Sequence, residues 1–335
     1  MEPFDSNPVT DFVARKFRDR RVFPLWCIAC VSILILLGTV HVLFLRAPSA
    51  FPTRTIITIK EKTGLNEIAR QLYDLKIVRS PSWFRALVIL ESGQRGVLAG
   101  DYYFENPIGV FSIASRMTEG NFGLTPARIT FPEGITAAQM GVLLSGELVD
   151  FNNEEFLKLA KEKEGYLFPD TYLFLPNVKF PEVLDTLRAN FNKKIKSIEE
   201  NIKAFNKPLQ DIVIMASILE AEARTTETRR IIAGILWKRL GLGLPLQVDA
   251  PFQYIIGKNT FQLTTADLQY DSPYNTYLHK GLPPTAIGNP GLDALTDAVT
   301  PTKSPYFFYL SDIRGNMHYA KTFEEHVANK ERYLR

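Results

Sequence analysis

The sequence predicts an α+β protein behind a single N-terminal transmembrane helix. Three observations predict it. One uncharged apolar run, Leu25 to Leu45, stands near the N-terminus. Behind it, short β-branched or aromatic runs alternate with segments whose apolar residues recur at helical spacing. From Leu244 to Pro301 the chain turns loop-rich, with Pro at 245, 251, 273, 283, 284, 290 and 301. A length of 335 residues leaves room for roughly two or three domains. With 46% hydrophobic and 22% charged residues, the chain is neither disordered nor a multi-span membrane protein. Its 39 Lys and Arg nearly balance 36 Asp and Glu, which argues against a nucleic-acid-binding body.

The run 25–45 spans about 31 Å as a helix, close to the hydrocarbon thickness of a bilayer. Arg15, Lys16, Arg18, Arg20 and Arg21 precede it, and only Arg46 and Arg54 follow closely. The positive-inside rule places residues 1–24 in the cytoplasm and the body outside. A cleavable signal peptide is the rival reading, but the run is too long and Ala47-Pro48-Ser49-Ala50 is a poor cleavage site. The two cysteines, Cys27 and Cys30, both lie inside the apolar run and read as small hydrophobes. The body, free of Cys, suits an oxidising space.

The pattern places the remainder in two regions, 46–150 and 151–335. In the first, Thr55-Ile56-Ile57-Thr58-Ile59 reads as a strand and Leu65 to Leu72 as a helix, with apolar residues at 65, 68, 69 and 72. A second helix follows around Trp83 to Leu90, completing a strand–helix–helix unit over 55–90. Residues 100–104 and 128–131 read as further strands, with helices over 110–119 and 135–148. The charged amphipathic helix 152–163 marks the boundary. Beyond it, 164–172 is dense in aromatics and turn formers, 180–205 is a solvated helix or helix pair, and 208–223 is the most apolar helix of the body. A helix over 225–240 precedes the loop-rich stretch, which is predicted to be a binding surface. The tail pairs strand 306–310 with 317–320 as a hairpin turning at Gly315, then closes with a helix over 322–333.

Chemistry has few candidates. No phosphate loop, metal-ligand spacing or G-x-S-x-G is present, and His279, His318 and His326 are scattered. On the helix 208–223, positions 209, 212, 213, 216, 219 and 223 form one stripe; Glu220 falls within it and Glu222 points elsewhere. A carboxyl at the edge of so apolar a helix is partly desolvated, which raises its pKa as a general acid requires. The competing reading is a polar residue at a helix end paired to Arg224. Gln247 and Asp249 lie just before Pro251, and Asp249 reads by itself as a turn or cap residue. The segment Asp271 to Pro284 alternates aromatic rings with amides and hydroxyls, which suits a neutral sugar polymer: Tyr274 and Tyr277 to pack on rings, Asn275 and Thr276 to bond hydroxyls.

Several segments, in order, resemble the YceG-like endolytic murein transglycosylase family: Glu164 to Tyr172, Ala216-Ser217-Ile218-Leu219-Glu220-Ala221-Glu222-Ala223, Leu246-Gln247-Val248-Asp249, Ser272 to Tyr277, Gly281 to Pro284, Ile287 to Gly291 and Lys321 to His326. Two departures stand out. Ala221 replaces a basic residue, and Asp249-Ala250-Pro251 stands where the family has Asp-Pro-Thr. The resemblance implies a single-pass anchor in the bacterial inner membrane, a LysM-like subdomain matching 55–90, and a catalytic domain cleaving peptidoglycan glycan strands. It implies no cofactor and no metal. Peptidoglycan is the implied partner, with penicillin-binding proteins and the elongation machinery as expected protein partners. Glu220 matches the family's catalytic glutamate, and is expected in a cleft facing Gln247, Asp249 and Tyr274 to Tyr277. Such a lyase uses one carboxyl as acid and then as base, leaving 1,6-anhydro-N-acetylmuramic acid ends. The alternatives are a non-catalytic peptidoglycan-binding scaffold, and a metal-dependent hydrolase using Glu220, Glu222 and Asp249, for which His ligands are missing.

Overall fold

A computed structural model describes residues 22–92, 96–149 and 151–334, with side chains from Trp26 onward. The basic stretch Arg15 to Arg21, and with it most of the expected cytoplasmic segment 1–24, lies outside the described residues. Helix α1 (Val22–Val40) runs into a π-helical turn over His41–Leu45. From Trp26 to Phe44 its residues are almost all apolar and none is buried against the protein. The stretch is long and apolar enough to cross a membrane. Thr39 donates its hydroxyl to the Ile35 carbonyl at 2.7 Å, so this polar side chain is satisfied within the helix.

Two compact units follow the divide between Leu124 and Thr125. In the first, β1 (Thr55–Ile59) pairs antiparallel with β2 (Gly100–Phe104), Thr55 opposite Phe104. Strand alternation turns Ile57, Ile59, Tyr102 and Phe104 inward. Onto them α2 (Leu65–Asp74) lays Ile68, Ala69 and Leu72; α3 (Pro81–Ser92) lays Phe84, Leu87 and Val88; and α4 (Val110–Glu119) lays Val110, Ile113, Ala114 and Met117. The buried Tyr102 hydroxyl donates to the carbonyls of Leu98 and Met117.

The second unit begins earlier than the expected boundary at 150/151. Strand β3 (Ala127–Thr130) pairs antiparallel with β4 (Thr171–Phe174), Arg128 opposite Leu173. Helix α5 (Ala137–Glu147), opened by a Thr136–Gln139 capping box, packs Met140 and Leu144 onto Phe156 of α6 (Asn153–Ala160) and Leu184 and Leu187 of α7 (Phe180–Ser197). Residues 125–149 therefore share a core with 156–187, and the helix α6 lies inside a unit instead of between two. Strand β4 falls where the sequence suggests only turns and aromatics.

Helix α8 (Glu199–Phe205) ends at Asn206, whose φ of 54° stops it. Helix α9 (Leu209–Glu222) then crosses the main core, with every residue from Ile212 to Leu219 buried. Around it lie α10 (Thr226–Gly241), the short α11 (Ala250–Ile256) and α12 (Leu292–Val299). The last two fall inside the stretch 244–301 that the sequence assigns to loops. Strands β5 (Phe308–Ser311) and β6 (Met317–Ala320) pair antiparallel, and α13 (Phe323–Tyr333) follows. The architecture is mixed α+β, with small two-stranded sheets among the described residues.

Candidate active site

Helix α9 is apolar because it is buried all round, and it stops where Ala223 becomes extended (φ −149°, ψ 143°). Its last turn carries two half-buried carboxylates, Glu220 and Glu222. Two residues apart, they point about 200° away from each other. Each enters a different group of partners.

Glu222 meets the segment that the sequence assigns to Glu220. Its Oε2 accepts a hydrogen bond from the Tyr309 hydroxyl on β5 at 3.1 Å. Burial, and then the negative charge of Asp249, push its carboxyl up to about 7; the Tyr309 hydroxyl and the Ala250 N–H pull less strongly the other way. Asp249 stands at the start of α11, and its Oδ1 accepts from the Tyr277 hydroxyl at 2.6 Å. Burial and these two carboxylates hold both phenols, Tyr277 and Tyr309, protonated well above the usual tyrosine range. Arg239, at the end of α10, donates to the side chain of Gln247 and to the carbonyls of Pro245 and Phe307. It thereby fixes Gln247, which sits at a φ of 52°, and ties the 245–249 loop to β5.

Glu220 looks elsewhere. Its Oε2 accepts the Gly291 backbone N–H at 2.9 Å. A Cβ added at Gly134, whose φ is 78°, would lie 3.4 Å from the Glu220 Cγ. Burial comes first in raising its pKa, with the charges of Glu133 and Asp293 adding to the effect and the Gly291 N–H and Arg229 opposing it. A cleft of about 550 Å³ opens beside this group, lined by Pro132 to Ile135, Gln139, Val142 and Leu143. The raised pKa expected of Glu220 is present. The expected neighbours Gln247, Asp249 and Tyr277 are not among its partners; they belong to the Glu222 group.

The 274–277 segment also divides. Tyr274 bonds Thr285 through its hydroxyl at 2.8 Å and stacks obliquely on Tyr254. Asn275 is fully buried and spends its amide on the carbonyls of Leu268 and Tyr270 and the Tyr277 N–H. Thr276 is buried too, exchanging bonds with the N–H and carbonyl of Val248. Expected as substrate contacts, Asn275 and Thr276 instead build the loop that presents Tyr277 and the backbone before Asp249. Composition gives residue types but not which way they face.

A second polar network was not legible as such. Glu164 is buried, accepts the Ala137 N–H at 3.0 Å and the Asn289 amide at 2.8 Å, and is pushed up to about 7 by burial. Asn289 in turn accepts the N–H groups of Gly165 and Leu167 and donates to Ile135. The signal available in the sequence was a lone carboxylate, Glu164, heading an aromatic-rich segment. Among the described residues no three His, Cys, Asp or Glu side chains gather as metal ligands would.

A YceG-like family model matches residues 57–332. The chain belongs to the YceG-like family. This YceG-like protein is 28% identical over 309 residues to the endolytic murein transglycosylase of Bacillus subtilis strain 168, covering 84% of this chain and 85% of that one. It is 33% identical over 172 residues to the endolytic murein transglycosylase of Streptococcus pneumoniae strain D39, a match spanning 50% of this chain and 31% of that longer protein. A crystal structure of a YceG-like protein from Listeria monocytogenes aligns at a TM-score of 0.57 and 26% identity, over 82% of this chain and 98% of that one.

Proposed function

We propose that this YceG-like protein is a membrane-anchored lytic transglycosylase that cleaves the MurNAc–GlcNAc bond within peptidoglycan strands, with Glu222 as the acid and then the base. The observation that carries the assignment is the Glu222 carboxyl, raised to about 7 between Asp249 and the Tyr309 hydroxyl, in a chain whose curated relatives are named endolytic murein transglycosylases. Protonated Glu222 gives its proton to the glycosidic oxygen as the bond to C1 breaks. The carboxylate left behind takes the proton of the C6 hydroxyl on the same muramic acid, and O6 closes onto C1. No water is consumed, and Glu222 ends protonated as it began. Asp249, held by Tyr277, supplies the negative charge that keeps Glu222 protonated and favours the cationic sugar. Glu220 is the competing carboxyl, also raised by burial, but its Oε2 faces the Gly291 N–H and it lies outside the Asp249–Tyr277–Tyr309 group.

Purified sacculi digested with the protein are expected to yield muropeptides ending in 1,6-anhydro-MurNAc. Reducing ends would mean hydrolysis, and no release would favour a peptidoglycan-binding scaffold.

The anchor and the subdomains complete the reading. Five basic residues between Arg15 and Arg21, against Arg46 and Arg54 beyond the span, support a cytoplasmic N-terminus, a single pass of the inner membrane and an extracytoplasmic body. A C-terminal alkaline phosphatase fusion should be active; activity only from a reporter that folds in the cytoplasm would reverse the topology. The strand–helix–helix–strand order of β1, α2, α3 and β2 supports a LysM-like subdomain in the first unit. Asp312, which accepts from the N–H groups of Arg314 and Asn316, supports a C-terminal hairpin between β5 and β6. The catalytic domain is then the second unit.

A further inference from the structure

Helix α3 is apolar on both sides. Phe84, Leu87 and Val88 face the core of the first unit, whereas Trp83, Ala86, Ile89 and Leu90 face out, Leu90 at 81% and Ile89 at 54% exposure. At 3.6 residues per turn, positions 83, 86 and 90 form one stripe. An exposed apolar patch of this kind, opposite a face already buried in the core, marks an interaction surface.

What covers it is indicated by its neighbour. The Trp83 ring lies 6.4 Å from the ring of Phe44, in the π-helical turn that ends the apolar span. From that turn the chain enters the unit with no slack. Leu45 and Ala47 pack against the unit's core, and the Arg79 guanidinium donates twice to the Ala47 carbonyl, at 3.0 and 3.2 Å. A Cβ at Gly109, the residue before α4, would lie 3.0 Å from the Leu45 carbonyl. Phe111, half exposed in the first turn of α4, therefore stands close to the same exit point. The span and the unit are joined by packing, so the position of the last apolar turn fixes the position of Trp83.

We propose that the first unit is seated on the bilayer surface from which the span emerges, with the Trp83–Ala86–Leu90 stripe and Phe111 in the boundary between headgroups and acyl chains. The occupant of the apolar face is lipid. An indole beside the end of a membrane-spanning helix has the amphipathic character of an interfacial anchor, and burial of about 5–10 Å is the usual depth for such a face. Arg46, one residue beyond the span, and exposed Arg85 on α3 supply cations for lipid phosphates. The proposal rests on the membrane-spanning reading of residues 26–45.

The test uses the full chain in vesicles of phosphatidylethanolamine and phosphatidylglycerol brominated at chosen depths along the acyl chains. The protein has three tryptophans, so Trp26→Phe with Trp237→Phe leaves Trp83, and Trp83→Phe with Trp237→Phe leaves Trp26. Trp83 emission is expected to be lost to bromine, most strongly where the bromine lies nearest the headgroups. Trp26 reports on the span by itself. Quenching of Trp26 with Trp83 indifferent to every brominated lipid overturns the seating while keeping the anchor, and blue-shifted but unquenched Trp83 emission would mean that protein covers the face. Failure of both indoles to respond overturns the anchor and the seating together.

Discussion

Glu222→Gln is expected to lower the release of anhydro-ended muropeptides by about 10²–10⁴-fold, the usual worth of a positioned general acid–base. The amide keeps the shape and can still accept from Tyr309, so folding should hold while the transferable proton is lost. Glu220→Gln is expected to cost far less, because its carboxyl faces the Gly291 N–H and not the Asp249 group. The pH dependence follows from the sign of the shift. A carboxyl raised to about 7 is protonated below that pH, so the proton-donating form is depleted and kcat/KM falls as pH rises through about 7. Paired digests of sacculi with the two variants, read by mass, decide between them. A deeper loss from Glu220→Gln would return the acid role to that residue and make the Glu222 group structural.

The choice between these carboxylates shows where sequence reasoning reached its limit. Periodicity located α9 and both glutamates, and it recovered β1 and α2 because strand alternation and helical spacing are local signals. A helix buried from Ile212 to Leu219 on all sides has no polar face, so its stripe could not say which end-turn carboxyl meets Asp249. The unit boundary was missed for a related reason. Whether residues 125–149 join the first or second unit depends on β3 pairing with a strand about forty residues later, and no local pattern records that partner. Asn275 and Thr276 were read by type as sugar-binding groups. Their amide and hydroxyl are instead consumed by the backbone of residues 248, 268, 270 and 277, which a loop without regular hydrogen bonding needs when it is buried. Helix α12 was hidden because it is short, follows a Pro–Gly pair and carries an inward-facing Asp.

That aspartate should dominate the stability of the second unit. Asp297 is 1% exposed on α12; its Oδ2 accepts Nε of Arg229 at 2.8 Å and its Oδ1 accepts Nε of Arg230 at 2.9 Å. Arg229 is itself buried, and its guanidinium also reaches the carbonyls of Ala223 and Arg224, the residues that follow the α9 carboxylates. Its remaining carboxylate partner, Asp293, is 3.7 Å away and largely in solvent. Asp297→Ala would leave the buried guanidinium without its compensating charge, and breaking a buried pair in this way costs about 3–5 kcal/mol. For a unit of this size each kcal/mol is worth roughly 2–4 °C of melting temperature, so the loss should be visible in thermal unfolding as well as in a lower urea midpoint. Asp297→Asn, which keeps a carbonyl acceptor for one arginine, should fall between Ala and wild type. The exposed Glu199–Lys203 pair on α8 is the comparison: spaced i,i+4 in water and screened by salt, it should leave the urea midpoint nearly unchanged when Glu199 becomes Ala. If Asp297→Ala unfolds at the same urea concentration as Glu199→Ala, the arginines find other partners or solvent, and α12 is held to α10 by its apolar face alone.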